Sequence, residues 1–151
     1  MGKLKALIFD LDSTVANINH RLHHIIGKVN SAKNYKKFFE TLEDDIPNDW
    51  CVEMMYHFSM SGYHIFIITA RPDTFGDRTE AWLKKYGIPH DVLIMRKKGD
   101  FRKDSIVKKE IYKECIEKNY DIKFVVDDRA HVVEMWRSLG LTCLQCAKGD
   151  Y

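Results

Sequence analysis

Leu7-Ile8-Phe9-Asp10-Leu11-Asp12-Ser13-Thr14 sets an apolar run against two aspartates separated by one leucine. An unbroken apolar run closed by polar residues reads as a strand buried on both faces, as in a parallel sheet. Open α/β sheets bind ligands outside the carboxyl ends of their strands, so this strand would deliver Asp10 and Asp12 to that edge. Because strand side chains alternate, both carboxylates can face one crevice while Leu11 turns into the packing. Two carboxylates brought together repel, and a divalent cation, a shared proton or a phosphate-binding role would relieve that cost. A carboxylate placed there can attack phosphorus while its neighbour exchanges protons with the leaving oxygen and with water. The plainer reading is a helix cap, since Asp and Ser-Thr after a strand often only start a helix.

Outward from this stretch, apolar runs alternate with amphipathic ones. Lys5 to Phe9 reads as the first strand, followed by His64 to Thr69, Val92 to Met95, Lys123 to Val126 and Leu141 to Leu144. Helical periodicity occupies about 48–61, 74–86, 104–119 and 129–139, with Gly62, Gly87-Ile88-Pro89 and Gly140 as stops. This order predicts a three-layer α/β/α, Rossmann-like fold around a parallel sheet. The segment from about 15 to 46 breaks the alternation and predicts a small cap-like insert after strand 1, folded over the crevice. No repeat or linker marks a second domain, so residues 1–151 are expected to form one.

Composition narrows the class. With 45% apolar and 12% aromatic residues in 151, a normal core is available to one domain. The apolar run near the start is too short for a signal peptide or a membrane span, which predicts a soluble, intracellular protein without membrane partners. A net charge of +2, from 24 basic and 22 acidic residues, does not announce nucleic acid by itself. The stretch 96–109 is locally basic, with Arg96, Lys97, Lys98, Arg102, Lys103, Lys108 and Lys109, and reads either as a solvated face or as a backbone-binding surface. Cys51, Cys115, Cys143 and Cys146 do not form a disulfide framework pattern, and the single CxxC at 143–146 lacks the second half of a zinc site. His20, His23 and His24 suggest a metal cluster, but at helical spacing they read as surface or packing residues. Tyr35, Phe38, Phe39 and Trp50 could stack bases, yet read as core.

Other strand ends join the first. One strand ends at Thr69-Ala70-Arg71, another at Asp127-Asp128-Arg129, and Lys108 lies on the helix before the latter. In a doubly wound sheet these meet Asp10 and Asp12 on one edge. Carboxylates that hold Mg²⁺, with Lys, Arg and Thr to donate to phosphate oxygens, make a phosphoryl-transfer inventory. Each member alone could be a cap or a surface residue.

Asp10-Leu11-Asp12-Ser13-Thr14, Thr69, Lys108 and Asp127-Asp128 resemble the four motifs of the haloacid dehalogenase (HAD) superfamily of phosphotransferases. His20-Arg21, Thr69-Ala70-Arg71, Met95-Arg96, the Gly99 to Asp104 stretch and the Asp127 to Trp136 stretch further resemble the 3′-phosphatase domain of bacteriophage polynucleotide kinase-phosphatases. The resemblance implies a HAD-like phosphatase with Asp10 as nucleophile and Asp12 as general acid-base. It implies Mg²⁺ on the Asp10 carboxylate, the Asp12 main-chain carbonyl, and Asp127 or Asp128. Thr69 and Lys108 would bind the transferred phosphate. Arg21, Arg71, Arg96 and Arg129 would surround phosphate and nucleotide backbone, with Asp104 orienting Lys108 or one of these arginines. DNA or RNA 3′-ends would be the substrate, with a separate kinase or ligase as a partner and the oligomeric state open. Two departures stand out: Ser13 replaces the glycine common at that position, and the 151 residues contain no GxxxxGK[ST] phosphate-binding loop of a kinase. Alternative readings are a phosphatase of mononucleotides and, from another class, a non-catalytic module that binds nucleic-acid ends.

Overall fold

In the computed structural model, which describes residues 2–151, the run that ends at Asp10 is β1 (Leu4–Phe9), the middle strand of a five-stranded parallel sheet. β4 (His64–Pro72) and then β5 (Val92–Arg96) lie on one side of it; β6 (Tyr120–Asp127) and then β7 (Cys143–Gln145) lie on the other. The register pairs Phe9 with both Ile67 and Val126, so Asp10 and Asp127 stand at one level, with Thr69 two residues past Ile67 on β4. Chain order reverses direction across β1, which makes its carboxyl end the switch point where such sheets bind ligands.

Alternation along β1 assigns its two faces. Leu7 and Phe9 pack with Met55 of α2 (Asp49–Met60) and with Trp82 and Leu83 of α3 (Gly76–Lys85). Ala6 and Ile8 pack with Tyr112, Ile116 and the α5 (Ala130–Ser138) residues Val132, Val133 and Trp136. Both faces are therefore dry, which is why the strands read as continuous apolar runs rather than as alternating ones. Each fully buried Val, Leu, Ile, Phe or Met side chain among them contributes about 1.5–3 kcal/mol.

The helix expected over 104–119 is α4 (Asp104–Ile111) followed by a π-helical turn over Tyr112–Ile116. There the Glu117 amide donates to the Tyr112 carbonyl at 2.9 Å, a wider turn that lets Tyr112 and Ile116 both reach the core. β4 runs three residues beyond the predicted end at Thr69, through a register shift before Pro72.

The insert after β1 consists of short pieces. β2 (Ala16–Asn17) and β3 (Ile46–Pro47) pair antiparallel at its base, a 3₁₀ turn covers Asn19–His24, and α1 (Ala32–Glu40) starts at Ser31, whose hydroxyl accepts from the Asn34 amide at 3.2 Å. Phe38, Phe39 and Leu42 bury themselves in the same cluster as Leu7 and Phe9, so the insert shares the main core. Phe38 and Phe39 are core, as expected; Trp50 is partly exposed.

Candidate active site

The last ladder bond of β1 is from the Asp10 amide to the Val126 carbonyl, at 3.0 Å. The chain then turns sharply, with the Ala16 amide donating to the Leu11 carbonyl (2.9 Å) and the Ser13 amide to the Ala16 carbonyl (2.8 Å). Ser13 takes φ +66°, the left-handed region that favours glycine, so the turn survives the substitution with local strain. Leu11 is buried, while Asp10 and Asp12 both line a cavity of about 740 Å³ at the sheet edge. Residues of the insert, among them Ile25, Tyr35 and Phe38, line it as well.

Two separate charge clusters divide the aspartates. In the first, Lys108 is buried and its Nζ donates to Asp10 Oδ1 at 2.7 Å and to Asp127 Oδ2 at 2.9 Å. Thr14 donates its hydroxyl to Asp10 Oδ2 at 3.1 Å. Asp127 is saturated: Oδ2 also accepts from Trp136 Nε1 at 3.3 Å, and Oδ1 accepts from the Asp128 amide at 2.9 Å. Asp128 is the opposite case, since neither carboxylate oxygen has a hydrogen-bond partner although the residue is fully buried. Carboxylate oxygens of Asp10, Asp127 and Asp128 lie within 4.8 Å of one another. Three carboxylates against one ammonium leave excess negative charge in a buried place. Burial, followed by the neighbouring Asp127, pushes Asp10 well above the usual carboxylate range, with Lys108 pulling the other way. Asp128 is raised for the same two reasons, while burial opposes but does not overcome the carboxylates that keep Lys108 protonated.

This donor set fits a hard divalent cation, which takes oxygen ligands and would supply the missing positive charge. The orphaned Asp128 oxygens are the specific observation behind that fit. Among the described residues no other cluster of three His, Cys, Asp or Glu side chains has ligand geometry. His20 instead contacts Asp45 at 2.7 Å, and His23 and His24 lie against each other. All four cysteines are free thiols, and burial raises Cys143 and Cys146, to about 12 and about 11, away from the thiolate that a zinc or redox site requires.

In the second cluster, Arg21 and Arg71 converge on Asp12 Oδ1, at 2.7 and 2.5 Å. Behind them lies Asp45, which accepts from Arg21 Nε and Nη2, each at 2.7 Å, and stands 3.5 Å from Arg71 Nη2. Burial alone would raise the Asp12 carboxyl, but Arg71 and then Arg21 outweigh it and hold it at about 2. Thr69 is buried within β4, three residues before its end, with its Oγ1 accepting from the Arg71 amide at 3.1 Å.

The remaining expected residues form a third group at the cavity mouth. The Asp104 carboxylate joins Arg96 and Arg129, at 2.5 Å to each, and makes no side-chain hydrogen bond or ion pair with Lys108. Arg96 is otherwise committed to main-chain carbonyls of Ala70, Asp100 and Arg102. Arg129 stacks on the Tyr151 ring at 5.0 Å. Four residues escaped sequence reasoning. Nothing in the acidic Glu43-Asp44-Asp45 run singles out Asp45, and Tyr151, whose hydroxyl donates to the Asp12 carbonyl at 3.4 Å, gave no signal at all. Thr14 and Trp136 lay inside quoted motifs without an assigned role.

A parallel sheet that brings a carboxylate pair, a lysine and a second acidic pair to the end of its middle strand defines a HAD-type phosphatase. The class C acid phosphatase of Bacillus anthracis has the same fold, with a TM-score of 0.70 at 15% identity over 100% of this chain and 69% of the other. Residues 4–151 match the family described as the polynucleotide kinase PNKP phosphatase domain, and the chain belongs to that family. A chain in a structure of the Pnkp1/Rnl/Hen1 RNA repair complex is 34% identical, with a TM-score of 0.83, over 99% of this chain and 44% of that one. A protein of Autographa californica nuclear polyhedrosis virus, described as a candidate bifunctional polynucleotide kinase/RNA ligase, is 26% identical over 97% of this chain and 20% of its own length. The chain therefore spans less than half the length of these two relatives. No helix among the described residues is long and apolar enough to cross a membrane.

Proposed function

We propose that this domain is a metal-dependent polynucleotide 3′-phosphatase that works through a phosphoryl group on Asp10. The observation that carries the reading is the buried Asp10 carboxylate, which lines the cavity, is held by the Lys108 ammonium and has the unpartnered Asp128 within 4.8 Å. Support for a polynucleotide substrate comes from the family match and from relatives named for RNA repair and for polynucleotide kinase and RNA ligase activity.

A Mg²⁺ ion held by Asp10, Asp128 and the Asp12 main-chain carbonyl would supply charge neutralisation to the phosphoryl oxygens. Asp128 is preferred over Asp127 because Asp127 is already filled by Lys108, Trp136 and the Asp128 amide. The role of Asp127 is then to position Lys108. Lys108 and Thr69 donate to the phosphoryl oxygens. Asp10 attacks phosphorus, the bond from phosphorus to the 3′-oxygen breaks, and Asp12 gives that oxygen a proton. Water, losing its proton to Asp12, then attacks the phosphoaspartate, which releases inorganic phosphate and restores Asp10.

Asp12 can hold the transferred proton on Oδ2, since its arginine contacts are on Oδ1. Without substrate the arginines keep Asp12 ionised. An incoming phosphate competes for Arg71, loosens that hold and raises the proton affinity of Asp12 as the acid step needs. Arg96 and Arg129 act on the shape of the cavity mouth through Asp104 rather than on the reacting phosphate. The setting is an intracellular one, with DNA or RNA 3′-ends as substrate and a separate kinase or ligase as working partner.

The mechanism is tested by acid-quenching a single turnover of a 3′-phosphorylated oligonucleotide and mapping the phosphorylated peptide by mass spectrometry. Phosphate on Asp10 is expected, and Asp10→Asn, folded by circular dichroism, should give neither adduct nor turnover. Turnover in that variant would remove Asp10 from the chemistry.

A further inference from the structure

Between β5 and α4 the chain forms a loop at the mouth of the main cavity, and its tip is Phe101, 92% exposed. An isolated exposed ring is common on protein surfaces. This one differs in how firmly it is held. Arg96, buried beneath the loop, donates to the main-chain carbonyls of Asp100 (2.9 Å) and Arg102 (2.7 Å), the residues on either side of it. Arg102 is locked by its side chain to Asp100 and Glu110, the Asp100 amide closes on the Lys97 carbonyl at 3.1 Å, and the Lys98 amide donates to Asp73 at 3.0 Å. Gly99, at φ +83°, supplies the left-handed step that the turn needs. A buried arginine and two anchored flanks thus present a phenyl ring to water without letting it fold back.

The charges around the ring indicate what it meets. In the basic stretch, Arg96 and Lys108 are buried and Arg102 is neutralised by Asp100 and Glu110. Lys97, Lys98 and Lys103 are exposed, and none has an ion pair among the described residues; Lys97 and Lys103 line the cavity together with Phe101. An aromatic ring flanked by unpaired ammonium groups is the combination that binds single-stranded nucleic acid, with bases on the ring and phosphates on the lysines. We infer that Phe101 is a stacking platform for the unpaired bases immediately upstream of the scissile 3′-phosphate, with Lys97, Lys98 and Lys103 following the backbone.

This inference rests on the polynucleotide reading above. It is tested by comparing kcat/KM for a single-stranded 3′-phosphorylated oligonucleotide with that for p-nitrophenyl phosphate, in the original protein, Phe101→Ala, Phe101→Leu and Phe101→Trp. Loss of the ring should lower the oligonucleotide-to-small-substrate ratio by about fivefold or more, since a stacked base is worth at least that in affinity. The loss should fall on KM rather than kcat, because the ring stands apart from the reacting atoms. Trp should preserve the ratio and Leu should behave as Ala. An unchanged ratio in Phe101→Ala, or an equal fall for both substrates, overturns the stacking role alone. An original protein that hydrolyses p-nitrophenyl phosphate but not the oligonucleotide overturns the polynucleotide reading and this inference with it.

Discussion

Ser13 and Asp45 are the residues where local chemistry makes the sharpest predictions. Ser13 holds a left-handed conformation directly after the Asp10-Leu11-Asp12 turn, a state that costs a residue with a Cβ about 1–2 kcal/mol. Ser13→Gly removes this cost but adds chain entropy to the unfolded state, so a net stabilisation of about 0.5–1 kcal/mol is expected. Thermal unfolding should show a midpoint higher by about 1–4 °C, and a lower midpoint would mean that the serine side chain makes a stabilising contact of its own. Asp45 is the common acceptor of two buried arginines and contacts His20 as well. Removing one partner from a buried ion cluster leaves uncompensated charge, at about 3–5 kcal/mol. Urea denaturation of Asp45→Ala should register a loss on that scale; a change within about 0.5 kcal/mol would show that Arg21 finds other partners.

At the scale of elements, the Asp12–Arg21–Arg71–Asp45 lattice ties the end of β1 to the insert and to β4. Its pH response follows from the direction of the Asp12 shift. A folded-state carboxyl held at about 2 against an ordinary 3.8 contributes stability that is fully present above about pH 4 and is lost as pH falls through about 2. The full contribution is about 2 kcal/mol. In metal-free buffer, the stability gap between the original protein and Asp12→Asn should therefore shrink between pH 5 and pH 2; a gap independent of pH would contradict the clamp. The same lattice explains what the sequence concealed. Apolar runs announce strands because both sheet faces are covered, and glycines announce helix ends, so the elements could be placed from local pattern. Whether an arginine faces substrate, a carboxylate or a carbonyl depends on chain distant in sequence. Arg96, expected around phosphate and nucleotide backbone, holds the main-chain carbonyls of Asp100 and Arg102 in the 97–103 loop. Asp45 went unmarked because nothing near it signals Arg21, 24 residues away. Gly149 is a further example. At φ +58° it lies so close to Asp128 that a Cβ would stand 2.1 Å from that carbonyl, and this close approach is what brings Tyr151 over the Asp12 turn.

The whole molecule stores excess negative charge at one point of its sheet edge, where Asp10, Asp127 and Asp128 meet. A divalent cation that binds this site in the folded state alone stabilises the fold by mass action. Thermal midpoints should therefore rise with Mg²⁺ concentration. Asp128→Asn should abolish that rise while leaving the metal-free protein as stable as before or more so, since it removes a buried charge without removing a hydrogen bond. Equal metal responses in both proteins would place the ion elsewhere. The carboxylate pairs and their convergence were legible because each closes a strand. The division of labour among them was not, because Asp127 and Asp128 differ only in the partners that Lys108 and Trp136 provide.

The most direct measurement is Mg²⁺-dependent phosphate release from one oligonucleotide sequence carrying either a 3′- or a 5′-phosphate, run beside the free 3′-mononucleotide. The account predicts release chiefly from the 3′-phosphorylated oligonucleotide. Release at equal or greater kcat/KM from the mononucleotide would contradict it and make the domain a phosphatase of small substrates.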